Sequence, residues 1–95
     1  MKNYYKGADR KLVEIFTPHC NLSGEQYEEI SSRFIYLEAD IQDGEPIEDI
    51  KQTVYEMNVV FDFLYNTKEV TLEEYNSLCN LANEMEADAE RLVQA

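Results

Sequence analysis

The chain is poor in the residues that interrupt or cross-link a fold. Its 95 residues include three glycines, two prolines, two cysteines and no tryptophan. So few glycines and prolines leave little room for long flexible linkers, and the length predicts a single domain with a modest core. Cys20 and Cys79 are too few for a disulfide scaffold, and their separation fits no zinc motif. We interpret both as free thiols in a reducing cytosol.

Side chains suited to catalysis are also scarce. His19 is the only histidine, and its adjacency to Cys20 does not make a catalytic dyad, which needs the two groups to meet in space beside an orienting third. The sequence contains no nucleophile elbow, no phosphate-binding glycine loop and no dinucleotide fingerprint. We therefore predict that the protein is not an enzyme and has no cofactor.

Metal-binding and membrane-spanning patterns are missing as well. The stretch 40–44 looks like part of a calcium loop, but aligning Gly44 with the loop glycine puts Ala39 and Ile41 where acids are required. No glutamate has a histidine three residues on, as helical di-metal sites need. No apolar run approaches a transmembrane length, and no signal-peptide core follows Met1. These absences predict a cytoplasmic protein with no metal site and no membrane contact.

Positive charge is the most marked deficiency of the sequence. Twenty acidic side chains face eight basic ones, a net charge of −12. Residues 1–11 hold four basic side chains and one acidic, a net of +3, so the other 84 residues carry −15. A field of this sign repels nucleic acid and anionic membranes and attracts basic surfaces.

What the chain does have is helical periodicity in three segments. The first is predicted over 23–42, because Ser23 and Gln26 can form a capping box with Leu22 and Tyr27 as a hydrophobic staple. It ends at the turn signal before Gly44. Its apolar stripe alternates steps of three and four residues: Tyr27, Ile30, Phe34, Leu37 and Ile41.

The second and third predicted helices span 46–66 and 71–93. The first of these begins near Pro46, which suits a first helical turn, and ends around Asn66, a residue that tolerates the left-handed conformation common just past a helix end. Thr71 and Glu74 can form a capping box for the other. The two stripes consist of Ile47, Ile50, Val54, Met57, Phe61 and Leu64, and of Tyr75, Leu78, Ala82, Met85, Ala89 and Leu92.

These signals agree on an all-α fold, a three-helix antiparallel bundle. The links between the predicted helices are short, which favours antiparallel neighbours. Residues 1–22 are expected to form a short helix or an arm that ends at Thr17-Pro18, because a residue before proline disfavours helix.

The acidic side chains include a group that helix stability does not explain. Glu84, Glu86, Asp88 and Glu90 approach the carboxyl end of the third helix, where the helix dipole disfavours anions. Four charges over about 9 Å of helix approach the density of a nucleic-acid strand, with one phosphate about every 3.4 Å. We treat this cluster as a candidate contact surface for cationic sites.

The sequence therefore favours a non-enzymatic inhibitor or regulator that docks acidic helices on a basic, nucleic-acid-binding protein and does not bind nucleic acid itself. In composition alone the chain resembles the DNA-mimic inhibitors that phages and mobile elements direct against restriction or CRISPR nucleases. No motif assigns it to a family. The predicted partner-binding residues form one cluster of Glu73, Glu84, Glu86, Asp88 and Glu90, and a second of Glu25, Glu28, Glu29, Glu45, Glu48 and Asp49.

Two alternatives remain open at this stage. Apolar residues off the main stripes, such as Ile35, Val59 and Phe63, fit an adaptor or self-associating module in which the acids serve only solubility. The start of the chain, Lys2 to Lys6, combines lysines with tyrosines and could contact nucleic acid or fold onto the bundle. Three further tyrosines lie off the stripes and suit a partner-facing surface: Tyr36, Tyr55 and Tyr65.

Overall fold

The computed structural model of the protein describes Ile15 and residues 22–94. Three helices follow one another, α1 (Gly24–Asp43), α2 (Ile47–Asn66) and α3 (Leu72–Gln94), and the described residues include no strand. The predicted all-α three-helix bundle is confirmed. The predicted N-terminal arm lies outside the described residues, apart from Ile15, which packs half-buried against the core, and Leu22.

The start and end of α1 follow its local sequence. The Gln26 N–H donates to the Ser23 hydroxyl at 3.1 Å, and the Ser23 N–H donates to Gln26 Oε1 at 2.9 Å, so the predicted capping box is confirmed. At the other end Gly44 has a φ of +74°, and its N–H donates to the carbonyls of Asp40 and Ile41. Glycine adopts this left-handed conformation without the steric cost that a Cβ brings, which explains why the helix ends here.

Helix α2 ends at Asn66 as predicted, and it begins one residue later than predicted, at Ile47. Pro46 has ψ 140° and stands just before the helix, and its carbonyl accepts from the N–H of Ile50. Asn66 remains helical, and Lys68 is the residue with positive φ, at +64°. The predicted end at Asn66 is confirmed, and the left-handed residue comes two positions later because the N–H and hydroxyl of Thr67 both bond to the Phe63 carbonyl and keep the chain right-handed through Thr67.

Helix α3 begins with the second predicted capping box. The Thr71 N–H donates to Glu74 Oε1 at 2.8 Å, and the Glu74 N–H donates to the Thr71 hydroxyl at 3.1 Å. Val70, the predicted staple residue before the cap, is buried in the core. Glu74 is buried whereas Thr71 is exposed, so the cap lies at the edge of the packed interior.

The helices pack antiparallel, with α2 in contact with both neighbours. Along the α2–α3 interface, Asn58 Nδ2 donates to Asn83 Oδ1 at 3.3 Å, and the rings of Tyr65 and Tyr75 stack with centroids 5.2 Å apart. Between α1 and α2, two fully buried side chains stack at 5.9 Å, Phe34 and Phe61.

Most residues of the three predicted stripes lie in the core. In α3, two residues differ from the prediction. Leu81 is buried although it lies off the predicted stripe, because α3 faces both other helices and buries a broader strip than one row of residues. Leu92 lies on the stripe but is exposed, since it sits beside the α1–α2 turn at the open end of the bundle.

Candidate partner-binding surface

Antiparallel packing regroups the acidic residues that the sequence placed in two clusters. The start of α2 and the end of α3 lie at the same end of the bundle. Glu45 shares a shallow depression with Ala89 and Leu92, and Glu48 lies near Lys51 together with acids of α3. We call the group at this end the acidic end: Glu45, Glu48, Asp49, Glu86, Asp88 and Glu90.

The remaining predicted contact residues lie elsewhere. Glu73, in the first turn of α3, and the α1 acids Glu25, Glu28 and Glu29 lie at the opposite end, and Glu84 is exposed near the middle of α3. The sequence analysis grouped Glu73 with acids that are most of a helix length away. Position along the chain does not show which residues lie at the same end of the bundle.

Two basic side chains partly neutralise the acidic end. Lys51 Nζ lies 3.0 Å from Glu90 Oε1, and Arg91 forms an ion pair with Asp88. The hydrogen bond and charge of Glu90 raise the pKa of Lys51, and the charges of Glu86 and Glu48 add to this effect. Lys51 therefore stays cationic beside the carboxylates of Glu90, Glu86 and Glu48.

The four acids at the carboxyl end of α3 do not form a single row. Residues two apart in a helix point about 200° apart around its axis, so successive members of the series face different sides. Glu90 contacts Lys51 of α2, whereas Asp88 pairs with Arg91 of α3 itself. The comparison with the charge spacing of one nucleic-acid strand therefore does not describe this helix, and any acidic surface combines α2 with α3.

At the opposite end, a carboxylate that the sequence analysis did not single out is held in place. Glu69 accepts hydrogen bonds from the Thr67 hydroxyl and from the side-chain amide of Gln26, and these bonds lower the pKa of Glu69. The neighbouring Glu29 pairs with Arg33 at 3.2 Å. The link between residues 26 and 69 depends on tertiary packing, and no local pattern indicates it.

An apolar groove runs between α1 and α2 near this end. It has a volume of about 410 Å³. Val59 and Phe63, which the sequence analysis singled out as spare apolar residues, are 50% and 62% exposed. The groove is lined by Gln26, Glu29, Ile30, Val59, Val60, Phe63 and Leu64.

The tyrosines predicted to face a partner divide into two kinds. Tyr36 and Tyr55 are 69% and 65% exposed, as their positions off the stripes predicted. Tyr65 is less exposed, because its ring stacks on Tyr75 across the α2–α3 interface. Tyr65 therefore contributes to packing as well as to the surface.

The one described cysteine has no features of a reactive centre. Burial raises the pKa of the Cys79 thiol, with the charge of Asp62 adding to the rise against a hydrogen bond with Tyr75, so the unreactive thiol form is favoured. The Tyr75 hydroxyl donates to the Asp62 carboxylate, which raises the pKa of Tyr75. His19 and Cys20 lie outside the described residues.

Within the described part of the chain, no group of three or more histidine, cysteine or acidic side chains is arranged to hold a metal ion. No described helix combines the length and apolar character needed to cross a lipid bilayer. Comparison with family models, with curated proteins and with solved structures finds no match for this chain.

Proposed function

We propose that the protein is a non-enzymatic inhibitor or regulator that binds a basic, nucleic-acid-binding protein in the cytoplasm through its acidic end. The observation that carries this proposal is the meeting of acids from two helices at one end of a chain whose net charge is −12. The packed bundle holds the backbone of these acids in place, so their carboxylates can reach the phosphate sites of a partner without the cost of ordering a flexible chain.

The mechanism is electrostatic competition. The field of the chain draws a cationic surface toward it, which speeds association and makes it sensitive to salt. Once docked, the acidic end covers groups that the partner uses for nucleic-acid phosphates. An inhibitor of a restriction or CRISPR nuclease that mimics DNA would act in this way.

The contacts of the acidic end are not equivalent. Glu45, Glu48 and Asp49 are exposed, and within residues 22–94 none of them forms an ion pair. Glu90 and Asp88 already pair with basic side chains, which a partner would have to displace. We therefore assign the first contacts to the acids at the start of α2.

Charge reversal at one end of the bundle, with the other end as control, tests this proposal. The test variant carries Glu45→Lys, Glu48→Lys and Asp49→Lys. The control carries the same change of charge at the opposite end, through Glu25→Lys, Glu28→Lys and Glu73→Lys. Both variants, and the unaltered chain, are used to capture proteins from a lysate at low and at high salt.

The proposal expects the unaltered chain to capture basic nucleic-acid-binding proteins at low salt, and DNA to compete with them. Capture should be lost at high salt and in the test variant, and kept in the control. Equal capture by the test and control variants would exclude the acidic end as the contact surface.

A second function is favoured by the exposure of Val59 and Phe63. In this alternative the protein is a helical adaptor, or associates with itself, through apolar contacts, and the acids serve solubility. Capture or self-association would then survive the charge reversals and high salt but fail in Phe63→Ser. Light scattering on the same variant would report any loss of a homo-oligomer.

A further inference from the structure

The α1–α2 groove combines an apolar floor with walls from two helices. Ile30 and Leu64 at its base belong to the buried core, whereas Val59 and Phe63 of α2 leave half or more of their surface in water. Its volume of about 410 Å³ is within the range of sites that enclose ligands, and it can accept one or two large apolar side chains.

Carboxylates lie around this groove. Glu29 forms part of its wall, Glu69 is bonded to the lining residue Gln26, and exposed Glu56 lies one turn before Val60. Among the described basic residues, Arg33 pairs with Glu29, and Lys68 directly precedes Glu69 in the chain. Three acids against two bases leave the surroundings of the groove negative, and the lowered pKa of Glu69 keeps that group ionised.

The negative charge around the groove favours a basic occupant over a second copy of the chain. A second copy of the chain brings another −12 and would meet like charge across any contact at this groove. A basic segment meets opposite charge, and an amphipathic helix can set apolar side chains into a groove while its lysines or arginines face the rim. We infer that the α1–α2 groove is a docking site for a basic amphipathic helix of a partner protein.

This inference does not depend on the leading proposed function, and it names an occupant for the apolar surface of the second one. The groove lies at the end of the bundle away from the acids at the start of α2, and helix docking requires no mimicry of nucleic acid. A protein that uses both surfaces would hold a partner at two points, which increases affinity when the two sites can be engaged together.

Binding of a designed peptide to the full chain tests the inference. The probe is a fluorescent 16-residue peptide of lysine and leucine patterned as an amphipathic helix, and its anisotropy is measured against protein concentration. The matched peptide keeps the leucines and has glutamate in place of lysine. The protein variants are Phe63→Ser in the groove and Leu72→Ser, which removes an equally exposed apolar residue outside it.

We expect the lysine peptide to bind and the glutamate peptide not to bind. Phe63→Ser should weaken binding by about tenfold or more, as the loss of a central apolar contact does, while Leu72→Ser leaves it unchanged. Equal effects of the two variants, or equal binding of the two peptides, would overturn the inference.

Two further measurements separate the other occupants. Light scattering that shows a dimer in the unaltered chain and a monomer in Phe63→Ser would assign the groove to a second copy. A variant with Lys2, Lys6, Arg10 and Lys11 changed to glutamine tests the basic residues of the chain itself. A tenfold gain in peptide affinity in that variant that persists at high salt, where the change of net charge is screened, would mean that they compete for the groove, and would overturn its assignment to a partner.

Discussion

Lys51 Nζ in α2 lies 3.0 Å from Glu90 Oε1 in α3 and places a cation inside the acidic end. The pKa of Lys51 is raised first by the hydrogen bond and charge of Glu90, then by Glu86 and Glu48. Because the group is exposed, the pair contributes little to folding. Its main consequence is that the electrostatic potential is less negative at the surface that we propose as the contact site.

Removing this cation should strengthen attraction to basic ligands. We expect Lys51→Gln to increase affinity for a lysine octapeptide by a factor on the order of a few, and to steepen its dependence on salt. The thermal unfolding temperature should change little, because the pair is solvent-exposed. Fluorescence anisotropy at two salt concentrations, together with a thermal melt, measures both effects.

The control for this prediction is Lys68→Gln, which makes the same change of charge in the α2–α3 link at the other end of the bundle. A smaller gain in Lys68→Gln locates the effect at the acidic end. The same gain in both variants would show that only the net charge of the chain matters.

Truncation of two phenylalanines two residues apart in α2 should destabilise the protein by very different amounts. Phe61 is fully buried and stacks on Phe34, so Phe61→Ala should lower the free energy of unfolding by about 3–5 kcal/mol. Phe63 is 62% exposed, so Phe63→Ala should cost less than about 1 kcal/mol. Urea denaturation of the two variants gives both values, and similar costs would contradict the assignment of the core.

The helices were predictable because their signals are local. The capping boxes at Ser23 and Thr71 and the stripe that contains Phe61 all lie within single helices, where spacing alone determines which residues share a face. The end of α2 at Asn66 was predictable too, but the left-handed residue is Lys68, because the Thr67 hydroxyl bonds to the last carbonyls of α2. Propensity for a left-handed conformation could not anticipate that bond.

The candidate surfaces were less predictable because they depend on which helices meet. Lys51 and Glu90 are distant in sequence, and so are Gln26 and Glu69, yet each pair is in contact. The sequence indicated that Val59 and Phe63 were spare apolar residues. It gave no means of knowing that they would line a groove with residues of α1.

The two described glycines of α1 offer a matched test of backbone strain. Gly44 has a φ of +74°, a conformation that costs a residue with a Cβ about 1–2 kcal/mol, so Gly44→Ala should destabilise the protein by that amount. Gly24 opens α1, and a Cβ there would meet no atom within 4 Å. Gly24→Ala should therefore stabilise it by about 0.4–1 kcal/mol through the unfolded chain.

Chemical denaturation of both glycine variants measures these opposite signs. Neither substitution changes the charge, and each adds one exposed methyl group with no atom within 4 Å, so differences in stability report mainly the backbone. A destabilised Gly24→Ala, or a Gly44→Ala as stable as the unaltered chain, would contradict the cap geometry at the corresponding end of α1.

The Tyr75–Asp62 hydrogen bond predicts an unusual tyrosine titration. Ionising Tyr75 requires breaking its bond to a carboxylate and placing a second negative charge beside it, which together with burial raises the pKa of Tyr75. In Asp62→Asn that charge is gone, and Tyr75 should ionise at lower pH. Ultraviolet absorbance of tyrosinate follows the titration, and the signal lost in Tyr75→Phe identifies the Tyr75 step. A step at the same pH in Asp62→Asn and the unaltered chain would show that Asp62 does not control it.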